Sequence, residues 1–436
     1  MKKKLLYILV FLVAFGTVIL MLPYFRNTDQ PRMRFVYASA ISAEHATLPG
    51  DGIIDGDDYT GGGITPADVV EVKSGTNVVS YKLVLSGAQN YILLNDIILP
   101  AKPFTIEGLS AGQIFNGNGY KIDGVVIRHG LVSKNTGTIK NLIIGAGCVV
   151  TGAAVAEENL ASGVILNVKN YASVAPYVYT VTSGNVKTEY SIAGGLVFDN
   201  YGTISGCDNF GVVNGNGGIA QINKEGGLIT NCGNEGRITG AKANAGGIAG
   251  ENYGKIEKSS NGGAVDMKAK EAGGIAGISH GVIDDSENYE TATVAGVSSA
   301  GGIAGLFKGE ISNCRNYGLI KATGSAGVAG GIAGKSVSSD SKITASKNTA
   351  VVIGDTSKGI LGSGEAKLEN VVNYGRLNGK TELTVQIDEF LEKTKIIIMA
   401  IVAAGVVAAM ISIGKDRYKT IRDRRAEIES VLNYGA

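Results

Sequence analysis

The hexapeptide Ala-Gly-Gly-Ile-Ala-Gly constrains the fold of this chain most, because it recurs at nearly constant spacing. Intact copies begin at Ala245, Ala272, Ala300 and Ala329. Successive copies are therefore 27, 28 and 29 residues apart, and shorter versions stand at Ala193–Leu196 and Gly217–Ala220. A period in this range is typical of arrays in which each unit stacks on the one before it. The second half of the chain is predicted to be such an array.

A second signature runs through the units in fixed register with the first. It consists of Gly-x-Ile, a small residue three positions later, and Asn two positions after that, with substitutions in the outermost copies. The Asn residues are Asn170, Asn209, Asn234, Asn261, Asn288, Asn316, Asn348 and Asn373. The small residue is Cys207, Cys232 or Cys314 in three copies and Ser or Val in the others. Eight copies in one register are very hard to obtain by chance.

Glycine content decides between helical and strand repeats. The chain has 64 Gly among 436 residues, and each Gly inside a helix costs about 1 kcal/mol relative to Ala. Short strands separated by Gly and Asn corners fit this composition better. The predicted fold class is all-β, a right-handed parallel β-helix (β-solenoid) with coils of about 27 residues. Roughly ten such coils would stack about 4.8 Å apart.

Stacking assigns a role to each repeated residue. Ile and Leu form an internal column, and Gly-Gly lets the chain bend where no Cβ would fit. Asn is expected to adopt left-handed backbone at a corner and to bond backbone with its amide. The expected ladder includes Asn209, Asn234, Asn261, Asn288 and Asn316, with Cys207, Cys232 and Cys314 as small residues beside it. The pattern places Cys207 next to Cys232 and leaves open whether they form a disulfide or are small buried fillers.

Two apolar runs flank the repeats. Leu5–Leu22 follows the basic Met1–Lys4, and Ile396–Ile413 precedes a basic tail. Eighteen helical residues span about 27 Å, close to the roughly 30 Å hydrocarbon core of a bilayer. Membrane helices are predicted within 1–25 and 396–414, and the first run also fits a cleaved signal peptide. Because basic flanks stay in the cytoplasm, residues 26–392 are expected outside it, with both termini inside when the first helix is retained.

The remaining segments follow from composition. Residues 26–68 are predicted to be a loop-rich linker, 69–381 the β-helix with its regular part at 190–378, 382–395 a helical link, and 415–436 a basic cytoplasmic tail. Ala400, Ala404 and Ala408 are spaced for close contact between membrane helices. This spacing indicates either a homo-oligomer or membrane-complex partner at the C-terminal helix, or an Ala-rich helix that simply spans.

Charge and metal-ligand patterns exclude several classes of function. Lys plus Arg number 40 and Asp plus Glu 39, so no basic face for nucleic acid is predicted. The four Cys and three His are scattered, which predicts no metal cluster. Asp51, Asp55 and Asp58 resemble half of a calcium loop, but Pro49 stands where a ligand is needed. No cofactor is predicted, with Ca²⁺ as the weak alternative to a solvated acidic turn.

Two acidic residues are the candidates for catalysis. Glu257 and Asp284 occupy the same position in consecutive coils, four residues before the Asn. Stacking would place them about 5 Å apart, as in paired catalytic carboxylates. However, no His or Arg occupies a nearby repeat position, and the equivalent residues are Thr230 and Ser312. The chain is predicted not to be an enzyme, and a solvated charge cluster is the favoured interpretation of this pair.

Aromatic residues are the candidates for binding. Tyr289 and Tyr317 directly follow the Asn, where a ring could stack on a sugar or shield a corner. The spacing from Asn170 to Asn209 is 39 residues, and the extra segment contains Tyr177, Tyr179 and Tyr190. Insertions in solenoids are loops on one face and are often the binding face. This loop is the preferred candidate for a partner site.

The early coils resemble a known family. Tyr91–Leu99, Phe115–Ile127 and Asn135–Leu142 are similar to the opening coils of extracellular bacterial proteins with the GLUG motif, and the resemblance extends over Tyr91–Leu377. It implies a cell-surface β-solenoid of the kind found in adhesins. The expected function is surface adhesion to a glycan or protein, or a structural scaffold. The alternatives are a subunit of a membrane-associated surface or secretion assembly and a carbohydrate-active enzyme on the same fold.

Overall fold

The structure is a computed structural model that describes residues 63–85, 90–183, 186–240, 244–266, 270–378 and 380–381. The described chain forms a parallel β-solenoid with four long sheets of 11 or 12 strands. A regular coil contributes one strand to each of these sheets, so the predicted parallel solenoid with coils of about 27 residues is confirmed. Its handedness stays a prediction.

Sheets 1 and 2 each contain 12 strands. Sheet 1 consists of Val70–Ser74, Asn77–Leu83, Phe104–Ile106, Val132–Asn135, Ala156–Asn159, Val197–Asn200, Ala220–Asn223, Ala249–Asn252, Ala276–Ser279, Ala304–Phe307, Ala333–Ser336 and Leu361–Ser363. Sheet 2 consists of Gly63–Ile64, Tyr91–Leu93, Ile114–Asn116, Thr138–Lys140, Val164–Leu166, Thr203–Ser205, Leu228–Thr230, Lys255–Glu257, Val282–Asp284, Glu310–Ser312, Lys342–Thr344 and Lys367–Glu369.

Sheets 3 and 4 each contain 11 strands. Sheet 3 consists of Ile97–Ile98, Lys121–Asp123, Ile143–Ile144, Lys169–Asn170, Asp208–Asn209, Gly233–Asn234, Ser260–Asn261, Glu287–Asn288, Arg315–Asn316, Lys347–Asn348 and Val372–Asn373. Sheet 4 consists of Val126–Arg128, Val149–Thr151, Val174–Ala175, Val213–Gly215, Ile238–Gly240, Val265–Asp266, Thr293–Gly296, Leu319–Ala322, Val352–Ile353, Arg376–Leu377 and Lys380–Thr381.

Sheet 5 is shorter and carries the start of the hexapeptide. Its strands are Asn244–Gly246, Glu271–Gly273, Ser299–Gly301, Val328–Gly330 and Thr356–Lys358. Along the chain, each coil in this region passes through sheets 5, 1, 2, 3 and 4 in turn. The Gly-Gly pair of each hexapeptide therefore stands at the corner between sheets 5 and 1.

Columns of apolar side chains fill the interior of the solenoid. The column from sheet 2 consists of Ile139, Ile165, Ile204, Ile229, Ile256, Ile283, Ile311 and Ile343. Each of these side chains is at most 1% exposed. A second column comes from the Ile of the hexapeptides and a third from Val and Ile of sheet 4, as at Ile275 and Val294. Small alanines of sheet 1, such as Ala276, complete a narrow core.

The Gly-Gly pair of the hexapeptide is required because a side chain at either position would overlap neighbouring atoms. In the copy Ala245–Gly250, a Cβ on Gly246 would overlap the Ala249 carbonyl oxygen. A Cβ on Gly247 would overlap the side chain of Asn261, the Asn of the same coil. Neither glycine is among the described residues with positive φ. The two signatures keep a fixed register because the second glycine of the corner packs directly on the Asn.

The asparagines of the second signature form a buried ladder at the end of sheet 3. The Asn209 Nδ2 donates to Asn234 Oδ1 at 2.8 Å, and Asn234 Nδ2 donates to Asn261 Oδ1 at 2.8 Å. The same bond continues through Asn288, Asn316 and Asn348. The five from Asn209 to Asn316 are fully buried. Each amide therefore joins its coil to both neighbouring coils from a position buried inside the solenoid.

The expectation that the ladder Asn adopts left-handed backbone is wrong. In these coils a positive φ is found three positions earlier, at Asn231, Lys258, Asp285 and Asn313, with φ between 42° and 53°. These residues turn the chain between sheets 2 and 3. The sequence pattern misassigned this corner because the residue type varies there from coil to coil, whereas the ladder position is Asn in every copy.

The described strands begin earlier than the sequence analysis places the solenoid. Gly63–Ile64 pairs with Tyr91–Leu93, and the 3-10 helix Pro66–Asp68 follows it. Both lie in the segment 26–68 that was predicted to be a linker. The strand forms because Ile64, 4% exposed, continues the apolar interior. The proposed calcium residues Asp51, Asp55 and Asp58 and the segments 1–25, 382–395, 396–414 and 415–436 lie outside the described residues.

Within the described ranges, no helix has the length and apolar character needed to cross a membrane.

Candidate binding site at the hairpin

The extra segment after Asn170 is a β-hairpin rather than the predicted loop. Tyr177–Ser183 pairs antiparallel with Val186–Ile192, and the pair shares no ladder with the other sheets described. Tyr179 is the register partner of Tyr190. The sequence contains a signal for this element, because Gly184-Asn185 stands between two runs rich in Val, Thr and Tyr.

The hairpin leaves the solenoid where sheet 4 of one coil leads into sheet 1 of the next. Val174–Ala175 precedes it, and Gly194 follows it with a bridge to Gly217 of the next coil. The stacking of coils therefore continues on both sides of the insertion. Val178 and Val181 of the hairpin are 50% and 45% exposed, so the hairpin adds apolar surface outside the core.

A row of aromatic rings connects the hairpin to the solenoid wall. The ring centroids of Tyr177 and Tyr179 are 5.6 Å apart with an interplanar angle of 25°. Tyr177 also contacts His129, two coils earlier, with centroids 4.0 Å apart. The residue at the same corner of the intervening coil is Gly152, which has no side chain that would separate the rings of Tyr177 and His129. Tyr177 and Tyr179 are half-buried and keep part of each ring in solvent.

His129 is a site residue that the sequence analysis missed. It directly follows the sheet 4 strand Val126–Arg128 and has a left-handed φ of 62°, a conformation in which His is enriched relative to most residues other than Gly. Its Nδ1 lies 3.8 Å from Glu157 Oε1, and the two side chains are 36% and 42% exposed. His129 lies 48 positions before Tyr177 in the chain, so only the stacking of coils could bring it to the hairpin.

The predicted binding tyrosines do not form one site. Tyr289 and Tyr317 are half-buried in the column after the Asn ladder, at the sheet 3 edge. In the same column, Tyr171 and Phe210 stack on each other at 4.8 Å and 10°, so each covers one face of the other. This arrangement favours shielding of a corner in that column. Tyr177 and Tyr179 remain as the group assembled around one exposed surface.

Glu257 and Asp284 are neighbours on adjacent strands, as the sequence analysis placed them. The hydrogen bond from Lys255 lowers the pKa of Glu257, against a smaller effect of burial. Burial would raise the pKa of Asp284, but hydrogen bonds from Asn313 and Ser312, at 2.9 and 2.8 Å, lower it overall. Both carboxylates are therefore held ionised, whereas a general acid needs a raised pKa.

Asp199 is a carboxyl group with the opposite behaviour. Burial raises its pKa despite Lys224, whose Nζ lies 3.3 Å from Oδ2. Glu158 is its register partner on the preceding coil. However, Asp199 Oδ1 is buried without a hydrogen-bond partner, so a substrate could not reach that oxygen. Asp199 was not predicted, because its column of mixed charges looks like an ordinary solvated face.

The cysteines of the small-residue ladder are free and buried. The Cys207 thiol donates to the Ser205 carbonyl oxygen at 3.3 Å, and Cys232 N–H donates to Ser259 Oγ at 3.2 Å. Ser and Cys can replace each other at this position because either side chain forms hydrogen bonds with the backbone at the corner. Burial raises the pKa of Cys207, and it raises that of Cys314 to about 12, so neither is a reactive thiolate.

Comparisons with known proteins identify no family. No protein-family model matches the chain. No curated protein matches it either. Among solved structures, the chain is matched to the "crystal structure of a putative immunoglobulin A1 protease from Bacteroides ovatus", with 18% identity over 70% of this chain and 78% of that chain. The TM-score is 0.28, so the match carries no argument about fold or function.

Proposed function

We propose that this protein is a non-catalytic surface scaffold whose hairpin binds a glycan. The observation that carries the proposal is the half-buried aromatic row of His129, Tyr177 and Tyr179, which keeps part of its surface in solvent on the hairpin side of an otherwise regular solenoid. Aromatic rings with one apolar face and a polar edge suit the stacking and hydrogen bonding of sugar rings. Glu157, beside His129, adds a hydrogen-bond acceptor for hydroxyl groups.

The carboxylates support a binding role over hydrolysis. Retaining glycosidases pair an ionised carboxylate with one whose pKa is raised. At Glu257 and Asp284 both pKa values are lowered, and at Asp199 the unpaired oxygen is buried. A polysaccharide that reached Glu257 and Asp284, or Asp199, would meet no accessible proton donor among these three side chains.

The setting of the scaffold is part of the proposal. The apolar runs Leu5–Leu22 and Ile396–Ile413, with their basic flanks, support a membrane-anchored chain with the solenoid outside the cytoplasm. The resemblance of Tyr91–Leu377 to GLUG-motif proteins supports the same location and an adhesive role.

Glycan-array binding by the full chain in mild detergent tests the proposal. Wild type should bind a defined set of glycans, and Tyr177→Ala with Tyr179→Ala should weaken binding about 5- to 150-fold, because two stacking contacts of about 0.5–1.5 kcal/mol each are lost. Tyr171→Ala, which removes an exposed ring from the other column, should bind as wild type does. Equal binding by the double variant, or release of reducing ends that Glu257→Gln abolishes, would overturn the proposal.

A further inference from the structure

The last described coil leaves part of its core uncovered. In sheet 2, Leu368 occupies the position of the buried Ile column but is 45% exposed, whereas Ile343 on the preceding strand is fully buried. Leu361 and Leu368 line an open groove at this end. At the opposite end of the same column, Tyr91 is only 6% exposed. Within the described residues, the apolar column of sheet 2 is thus covered at its first member and uncovered at its last.

Among the described strands, the sheet 2 strand at this end also has no partner on its outer edge. Its inner side is bonded, since Lys367 N–H donates to Ser341 O at 2.8 Å and Ala345 N–H donates to Glu369 O at 3.0 Å. In a parallel ladder the backbone groups of alternate residues point to opposite sides. The N–H and C=O of Leu368 therefore point to the open side, where sheet 2 has no further strand among the described residues. Such an edge is a template for another strand.

The strand Lys367-Leu368-Glu369 is complementary in charge to itself. When two copies run antiparallel about a twofold axis at Leu368, Lys367 of each copy faces Glu369 of the other. Leu368 faces its own equivalent, and the two residues exchange both of their outward backbone hydrogen bonds. Opposite charges that face each other across a strand pair stabilise it, and like charges destabilise it. No other register of this strand against itself pairs both charges.

We infer that this end of the solenoid is a self-association surface, where a second copy of this chain pairs its Lys367–Glu369 strand antiparallel with the first. The interface is isologous, so a closed dimer forms and no open filament. The two Leu368 side chains cover each other and continue the apolar column from one solenoid into the next. The inference does not depend on the glycan site, because the hairpin lies many coils away.

Cysteine crosslinking tests the register directly. In the antiparallel pair the two Leu368 Cα atoms are about 5.5 Å apart, within the range that a disulfide bridges. Full-length Leu368→Cys in mild detergent should form a disulfide-linked dimer under mild oxidation. Val337→Cys is the matched control, since Val337 is 50% exposed and lies outside the proposed contact. The native cysteines are buried and should not crosslink.

A charge exchange tests the pairing without a crosslink. With Lys367→Glu, a glutamate faces Glu369 of the other copy at both charged positions of the strand pair. This variant should lower the dimer association constant at least tenfold in light-scattering measurements. Adding Glu369→Lys restores opposite charges across the axis, keeps an acid beside Lys342 within each chain, and should return dimerisation to the wild-type level. Wild type that stays monomeric at every concentration would overturn the inference. So would Leu368→Cys that crosslinks no faster than Val337→Cys, or an exchange variant that behaves like Lys367→Glu.

Discussion

At the scale of single residues, the stability of the solenoid depends on buried amides that bond one coil to the next. Asn234 receives a hydrogen bond from Asn209 and donates one to Asn261, and all three are fully buried. A buried polar group without a partner costs about 1–3 kcal/mol. An amide in the middle of the ladder therefore supports two neighbouring coils besides its own.

Replacement of one ladder amide should destabilise the fold. Asn234→Ala leaves the Asn209 amide and the Asn261 carbonyl oxygen each short of one bond, so we expect a loss of about 2–4 kcal/mol. Chemical denaturation followed by circular dichroism measures this change. Asn214→Ala, at an exposed position of sheet 4, is the control and should change stability little. Equal stability of both variants would contradict the role of the ladder.

The Asp199 carboxyl should make stability depend on pH in a defined direction. Because burial raises its pKa in the folded state, the folded chain binds the proton more tightly than the unfolded chain does. Stability from this group is therefore greatest below its unfolded pKa of about 3.9 and falls as the pH rises through the folded pKa.

The matching substitution is Asp199→Asn, which keeps the shape and removes the charge. At pH 7 this variant should unfold at a higher temperature than wild type, and the difference should shrink as the pH falls to about 4. Thermal unfolding across this pH range measures it. Asp266→Asn, which removes an exposed carboxylate paired with Arg237, should give no such gain at pH 7. A variant less stable than wild type at pH 7 would show that the bond to Lys224 outweighs burial.

The sequence predicted some residue roles and missed others for physical reasons. The Gly-Gly corner and the Asn positions were visible because each has the same requirement in every coil. A second buried ladder, from Asn135 through Asn159 and Asn200 to Asn223, was missed. Its signal, Asn-x-Gly at the end of a sheet 1 strand, is present at Asn135 and Asn200 but not at Asn159 and Asn223. Insertions of different length between its members hide its period.

At the scale of elements, the hairpin and the sheets differ in how they are held. Strands of sheets 1 to 4 pair on both sides in every interior coil, whereas Tyr177–Ser183 and Val186–Ile192 pair with each other alone among the described strands. A two-stranded ribbon is marginally stable by itself in water. The hairpin was predicted as a loop because an insertion carries no repeat signal, and its own turn signal is short.

Amide hydrogen exchange should separate these two classes of strand. We expect amides of Val178–Thr182 to exchange orders of magnitude faster than those of Lys255–Glu257, since the hairpin can open while the solenoid stays folded. Mass spectrometry of peptic fragments measures both segments in one experiment. Equal protection of the two would show that the hairpin and the coils open as one unit.

At the scale of the whole molecule, regular coils provide shape and the interruption provides a specific surface. The regular coils differ little in their buried positions, so a function assigned to one coil would apply to its neighbours as well. The hairpin, with His129 and Glu157 beneath it, occurs once among the described residues. Stacking could be predicted from the sequence because it repeats. The contact of His129 with Tyr177 could not, because it depends on how three particular coils align.

Exchange of the hairpin for the standard corner tests this account most directly. Replacing Pro176–Ile192 with one glycine gives Val174-Ala175-Gly-Ala193-Gly194-Gly195, the same spacing as Val213–Gly218 in the next coil. The account predicts a variant with the circular dichroism spectrum and unfolding temperature of wild type and no binding on the glycan array. A variant that folds and still binds the same glycans would contradict it, as would a solenoid that no longer folds without the hairpin.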